Sequence, residues 1–267
     1  MSREPASQPS AAEGGALAEP IARYAGRLGD DALIMAQRLG EWITCAPQLE
    51  EDVALANIGL DLLGQARMLL SYAGEVEGRG RTEDDLAYGR DERDFRNVQL
   101  VEQPVGDFAE TMARLLVFSA YQRELYHGLV YSTDATLAAI AGKATKEVAY
   151  HRDHATQWVL RLGDGTPDSH ARMQAGLDAV WPYVDELFES DESTERLVAT
   201  DIAVDGAALR PAWQAYVDDV LARATLTPPV LSRTPATGGR RGVHTEAMGY
   251  LLAEMQYLVR SHPGASW

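Results

Sequence analysis

ALIMAQRLGEWITCAPQLEEDVALANIGLDLLGQARMLLSY, from Ala32 to Tyr72, decides the fold. Ahead of its proline, Leu33, Met35, Ala36, Leu39, Trp42 and Ile43 recur at three- and four-residue steps, the spacing that puts apolar side chains on one face of an α-helix. With Leu28 and Ala32 the pattern extends back to Tyr24, and Pro47 interrupts it. Beyond the proline, Glu50, Glu51 and Asp52 supply negative charge where a helix N-terminus favours it. Leu55, Ile58, Leu62, Leu69 and Tyr72 then carry a second helix from about Gln48 to the glycines between Gly74 and Gly80.

The same reading extends outward in both directions. Residues 1–16 (MSREPASQPSAAEGGA) lack apolar periodicity and read as a disordered leader, leaving 17–267 as one helical domain. Gly78–Asp94 is charged and turn-prone, long enough to cross over a bundle. A third helix is expected from about Asp107 to Tyr131 and a fourth, after a turn, to Leu162, where GDGTP stops it. A fifth (Ala171–Phe188, with Asp168 and Ser169 as caps), a sixth (Ala207–Ala224) and a last from Thr245 to before Pro263 follow, with a Pro/Gly-rich loop, LTPPVLSRTPATGGRRG, before the last. Four long helices with a long central crossover predict an all-α, ferritin-like bundle carrying additional C-terminal helices.

Composition narrows the function. A net charge of −16 opposes nucleic-acid and anionic-membrane partners, because phosphate binding needs clustered Lys and Arg. No apolar run in the sequence approaches the roughly 20 residues of a membrane span, and no signal-peptide pattern opens the chain. A cytoplasmic location is expected. The single cysteine, Cys45, excludes an intramolecular disulfide and reads as a small buried residue.

Ferritin-like bundles can hold two iron ions with a carboxylate from each of two helices and Glu-x-x-His from each of the others. Only one Glu-x-x-His is present, Glu124 to His127; Glu147, His151 and His154 add a loose cluster on the fourth helix. His151 shares a stripe with Leu137, Ala141, Ala144, Val148 and Ala155, which reads as a hydrogen-bonded core histidine. Glu147 and His154 read as a helix-surface pair. An independent di-iron oxidase using Glu124, His127, Glu147 and His151 is the enzymatic alternative. The GGRRG loop at 238–242 has an anion-binding flavour, and a module for a CoA ester through Arg240 and Arg241 is a third reading.

LGEWITCAPQLEEDVALANIGLDLLGQAR (39–67), YGRDERDF (88–95), LVEQP (100–104), KEVAYH (146–151), GGRRGVHTE (238–246) and LAEMQYL (252–258) together resemble the C-type chains of bacterial phenylacetyl-CoA epoxidases, over nearly everything after residue 22. The resemblance implies a ferritin-like structural subunit of a multicomponent monooxygenase in aerobic phenylacetate degradation. It also implies a related A-type catalytic subunit with the di-iron centre, and a reductase with flavin and an iron–sulfur cluster that takes electrons from NADPH. Laid on that catalytic subunit through Trp42–Pro47 and Asp61–Gly64, its ligand positions fall at Ala32, Leu62, Gln65, Ser119, Val148 and His151. Only the last retains a ligand, so no catalytic, cofactor-binding or metal residue is expected in this chain. It would form a hetero-oligomer with the A-type partner, or self-associate without it. Arg240, Arg241 and His244 are the expected partner surface.

Overall fold

The computed structural model describes residues 11–230 and 235–265, with side chains from residue 17 onward. Among the described residues there are helices and no strands. Helix α1 (Ala11–Gly40) and α2 (Leu49–Glu77) form the first pair, joined by a turn in which Thr44 has φ of 74°. Asp52 caps this turn by accepting hydrogen bonds from the backbone N–H groups of Thr44 and Ala46. Gln48 is the N-cap of α2, and Gly78 closes it with φ of 67°, a left-handed conformation that favours glycine. Of the expected leader, residues 1–10 lie outside the described residues, whereas 11–16 belong to α1.

The crossover carries two short helices, α3 (Glu83–Tyr88) and α4 (Gln99–Glu102). The second long pair is α5 (Phe108–Leu129), capped by Asp107, and α6 (Ala135–Gly163), capped by Asp134. Helices α1 and α2 pack along each other, as do α5 and α6, and α2 meets α6 across the bundle. The core includes Leu28, Ile34, Leu55, Leu69, Leu116 and Val159, all essentially inaccessible to solvent. Burying such side chains contributes about 1.5–3 kcal/mol each before conformational entropy is set against it.

The remaining elements lie outside this core. Helix α7 (Pro167–Val180) starts at a Thr166 cap, so Asp168 and Ser169 occupy its first turn and are not the caps expected from sequence; Ser169 N–H donates to Thr166 Oγ1. It stops before Pro182 and continues as two 3₁₀ turns to Phe188, so the expected single helix to that residue is broken. Helix α8 (Glu192–Val198), α9 (Gly206–Arg223), α10 (Glu246–Met255) and α11 (Tyr257–Ser261) complete the described chain. Helices α7 and α9 pack on α5 and α6, while α8 lies against α1. Trp213 on α9 is fully buried and donates from Nε1 to Val117 O, tying the outer layer to α5. The expected final helix divides at Gln256, whose amide donates to the carbonyls of Ala87 and Arg90. Cys45 is exposed, contrary to expectation, because the α1–α2 turn directs it outward.

Candidate functional site

The bundle centre holds the six aligned positions. Ala32 comes from α1, Leu62 and Gln65 from α2, Ser119 from α5, and Val148 and His151 from α6; every one is fully buried. Three of these side chains have no atom that binds a metal. Ser119 Oγ donates to the Leu115 carbonyl one turn back, at 2.6 Å. Gln65 donates to Glu147 Oε2 at 3.0 Å and accepts from the Tyr126 hydroxyl at 3.2 Å, so its amide is committed in both directions.

His151 contacts Asp61 Oδ2 through Nε2 at 3.1 Å. Burial lowers its pKa, and the Asp61 hydrogen bond only partly opposes this, so the ring is neutral near pH 7 with Nε2–H as donor. The residues of its expected stripe, Leu137, Ala141, Ala144, Val148 and Ala155, are all buried. Its Nδ1 is buried and has no hydrogen-bond partner among the described residues. One imidazole nitrogen among Ala, Leu and Val does not fit a di-iron centre, which requires hard oxygen donors.

The other candidate ligands point elsewhere. Glu124 faces Arg152 at 3.8 Å, and exposed His127 lies edge-on to Tyr131. Glu147 is held by Gln65, while His154 faces Glu51 on α2 at 3.1 Å instead of pairing with Glu147 on its own helix. Among the described residues, no group of three or more His, Cys, Asp or Glu side chains is placed to hold a metal ion.

A second polar cluster joins the C-terminal loop to α1 and the crossover. Arg240 grips Asp31 with two N–H groups, at 2.7 and 3.1 Å, and also donates to the Arg96 and Arg27 carbonyls. Burial disfavours the charged guanidinium, yet Asp31 outweighs it and raises the Arg240 pKa. Glu186 accepts from the backbone N–H groups of Gln99 and Gly238 at 2.6 and 2.8 Å. Glu102 accepts from His244 Nδ1 at 2.7 Å and from Thr245 N–H at 2.6 Å. His244 Nε2 meets the Phe95 carbonyl at 3.2 Å. With acceptors on both nitrogens the ring is favoured as imidazolium; burial opposes the charge, but Glu102 prevails and the pKa is raised.

Gly239 permits this docking, since a Cβ there would lie 2.1 Å from the Asn97 carbonyl oxygen. The expected basic partner surface therefore needs correction: Arg240 and the His244 side chain are buried structural groups. Their acidic partners come from distant segments and outcompete solvent. Arg241 alone of the three is turned outward, 3.5 Å from Glu189. A CoA ester bound through both loop arginines loses its basis with Arg240.

Sequence reading missed an apolar face on the α1–α2 pair. Leu49, Val53, Leu60 and Leu63 of α2 and nearby Ile43 are exposed. Their spacings on α2 and the opposite buried row of Leu55, Ile58 and Leu62 give this helix two apolar faces. A groove of about 240 Å³ runs between Ala36 and Gly40 of α1 and Ala56, Gly59 and Leu60 of α2. By length and composition α2 would also span a bilayer, although it contains Asp61, Gln65 and Arg67 and packs against α1 and α6.

The profile of the family described as phenylacetic acid catabolic protein matches residues 5–267. The chain is also 50% identical over 247 residues to a curated Escherichia coli (strain K12) protein, the C subunit of 1,2-phenylacetyl-CoA epoxidase, with 92% of this chain and 99% of that protein covered. The helical bundle and the match along nearly its whole length place this chain in the phenylacetic acid catabolic protein family.

Proposed function

We propose that the chain is the C-type subunit of a phenylacetyl-CoA epoxidase, without metal chemistry of its own, and that it supports the di-iron catalytic subunit. The observation that carries this reading is the packing of Ala32, Leu62 and Val148 at the bundle centre, where a di-iron shell needs donors. Replacing a charged shell by apolar side chains removes a desolvation cost and gives a rigid core without a bound ion. Iron belongs to the catalytic partner; NADPH, flavin and an iron–sulfur cluster belong to the reductase.

The exposed α1–α2 face supplies the docking surface in this reading. Its apolar side chains suit the centre of a protein interface, while Glu83 and Asp84 of α3 lie beside Leu63 and provide acidic groups at its edge. Exposed Arg241 contributes at most a peripheral contact.

Co-expression with the catalytic partner tests this function. The two chains are expected to co-purify in a fixed ratio, with epoxidation of phenylacetyl-CoA depending on both when reductase and NADPH are supplied. Full activity of the catalytic partner without this chain overturns the support role.

A further inference from the structure

A cleft lies at the opposite end of the α1–α2 pair from the Cys45 turn, and its charge runs against that of the chain. It encloses about 570 Å³ between α1, the end of α2 and the crossover. Six arginines line it: Arg23, Arg27, Arg79, Arg81, Arg90 and Arg96. They are a quarter of the chain's 24 basic residues, gathered in one cleft of a protein with net charge −16. Among the described residues four carboxylates share the lining, Glu19, Asp30, Glu77 and Asp94.

Two of those carboxylates are committed. Asp30 binds the Arg90 guanidinium, and Glu77 binds Arg81 through two contacts of 2.5 and 2.6 Å. Arg23 is drawn to Asp191 outside the lining at 3.4 Å. That leaves Arg27, Arg79 and Arg96 without a carboxylate in ion-pair contact among the described residues.

Arg27 is the most unusual of these. It is 8% exposed, and its only side-chain hydrogen bond among the described residues goes from NH1 to the neutral hydroxyl of Thr194, at 2.8 Å. Its Nε is buried without a partner. Burial lowers the Arg27 pKa and Arg240 lowers it further, with Asp191 opposing; burial and then Arg23 do the same to Arg96, with Asp30 and Asp94 opposing. Thr194 in turn donates to Asp191 Oδ1 at 2.8 Å and the Tyr24 ring lies 4.8 Å from the guanidinium, so Arg27 is partly compensated while its Nε is left for a further acceptor. Arg96 spends NH1 on the carbonyls of Arg93 and Phe95, at 2.5 and 2.6 Å. Arg79 is exposed at the rim.

We propose that this cleft binds a small organic ligand bearing a diphosphate group, held by Arg27, Arg79 and Arg96, with its organic part over Leu70, Ala73 and Val76. Guanidinium forks match phosphate oxygens in geometry as well as charge. A lone carboxylate brings one charge to a cleft lined by six arginines, whereas a diphosphate brings two or more in a compact group. The volume lies within the roughly 300–1,000 Å³ usual for small-molecule sites and exceeds the need of the phosphates alone. An extended nucleic acid or an anionic membrane is disfavoured by the acidic remainder of the surface. This inference stands apart from the proposed support role, since the residues lining the cleft are not those of the Leu49–Leu63 face.

Titration calorimetry of the full purified chain at fixed ionic strength, with inorganic pyrophosphate and with adenosine 5′-diphosphate as probes, tests it. Both are expected to bind, the nucleotide more tightly because it also covers the apolar floor. Arg79→Gln and Arg96→Gln are each expected to weaken binding about tenfold, as loss of a charge-assisted contact implies, whereas Arg196→Gln outside the cleft leaves it unchanged. Circular dichroism establishes that each variant is folded, and the two arginines outside the buried core keep the test independent of Arg27. Absence of binding by both probes at millimolar concentration overturns the proposal, as does equal binding by wild type and the cleft variants. If neither probe binds but the cleft variants lose association with the other epoxidase components, the cleft is a protein-docking surface and the ligand assignment is wrong.

Discussion

Replacing Arg240 by methionine keeps much of the side chain's length while removing its charge. Asp31 would then retain the Val98 N–H at 2.8 Å but lose both guanidinium contacts, in a site where the Asp31 and Arg240 side chains are 4% and 7% exposed. Removing one partner of a buried ion pair costs about 3–5 kcal/mol, because the other charge stays behind desolvated. For a chain of this size that corresponds to a fall of about 6–20 °C in melting temperature. Arg241→Met is the matched control: its ion pair is exposed, and such pairs are worth about 0–1 kcal/mol. The double variant Asp31→Leu/Arg240→Met is expected to lose less than the sum of the two single variants, since it leaves neither charge unpaired. Thermal and urea unfolding followed by circular dichroism at pH 7 measure the whole set of variants. An Arg240→Met loss no larger than that of Arg241→Met refutes the buried-anchor reading.

Stability should depend on pH on both sides of the ordinary histidine range. The folded-state pKa of His244 is raised, so its contribution is fully present below about 6.5 and lost as pH rises through the folded value. That of His151 is lowered, so protonation favours the unfolded chain as pH falls below about 6.5 towards the folded value. Unfolding across pH 5–9 checks this: His244→Gln should flatten the alkaline side and His151→Gln the acid side, and unchanged profiles contradict the assignments. Leu60→Lys/Leu63→Lys should leave the isolated chain within about 1 kcal/mol of wild type, because both side chains are exposed, yet weaken co-purification with the catalytic partner at least tenfold. Undiminished co-purification would remove this face from the interface.

The long helices were legible because periodicity, acidic first turns and the breakers at Pro47, Gly78 and Gly163–Pro167 are local properties. His151 as a core residue was legible for the same reason, from the apolar stripe it shares on α6. Arg240 and His244 were misread because charge in a glycine-rich loop looks solvated until its partners are known. Asp31 is 209 residues from Arg240, and Glu102 is 142 from His244. No local signal announces such pairings. The apolar face of α2 was hidden by a related effect: two apolar rows on one helix merge into general hydrophobicity, and only packing shows which row is left uncovered. The break at Gln256 also needed tertiary context, as its amide is fixed by carbonyls from the crossover, whereas the break at Trp181 was signalled locally by Pro182.

Metal content of the purified chain tests the central claim most directly. Expressed alone in iron-supplemented medium and measured by elemental analysis beside a catalytic partner prepared identically, it is expected to carry far less than one iron, manganese or zinc per chain, while the catalytic partner carries two irons. One or more metal ions held tightly at the bundle centre, lost on His151→Ala in a folded protein, would contradict a packed and metal-free support role.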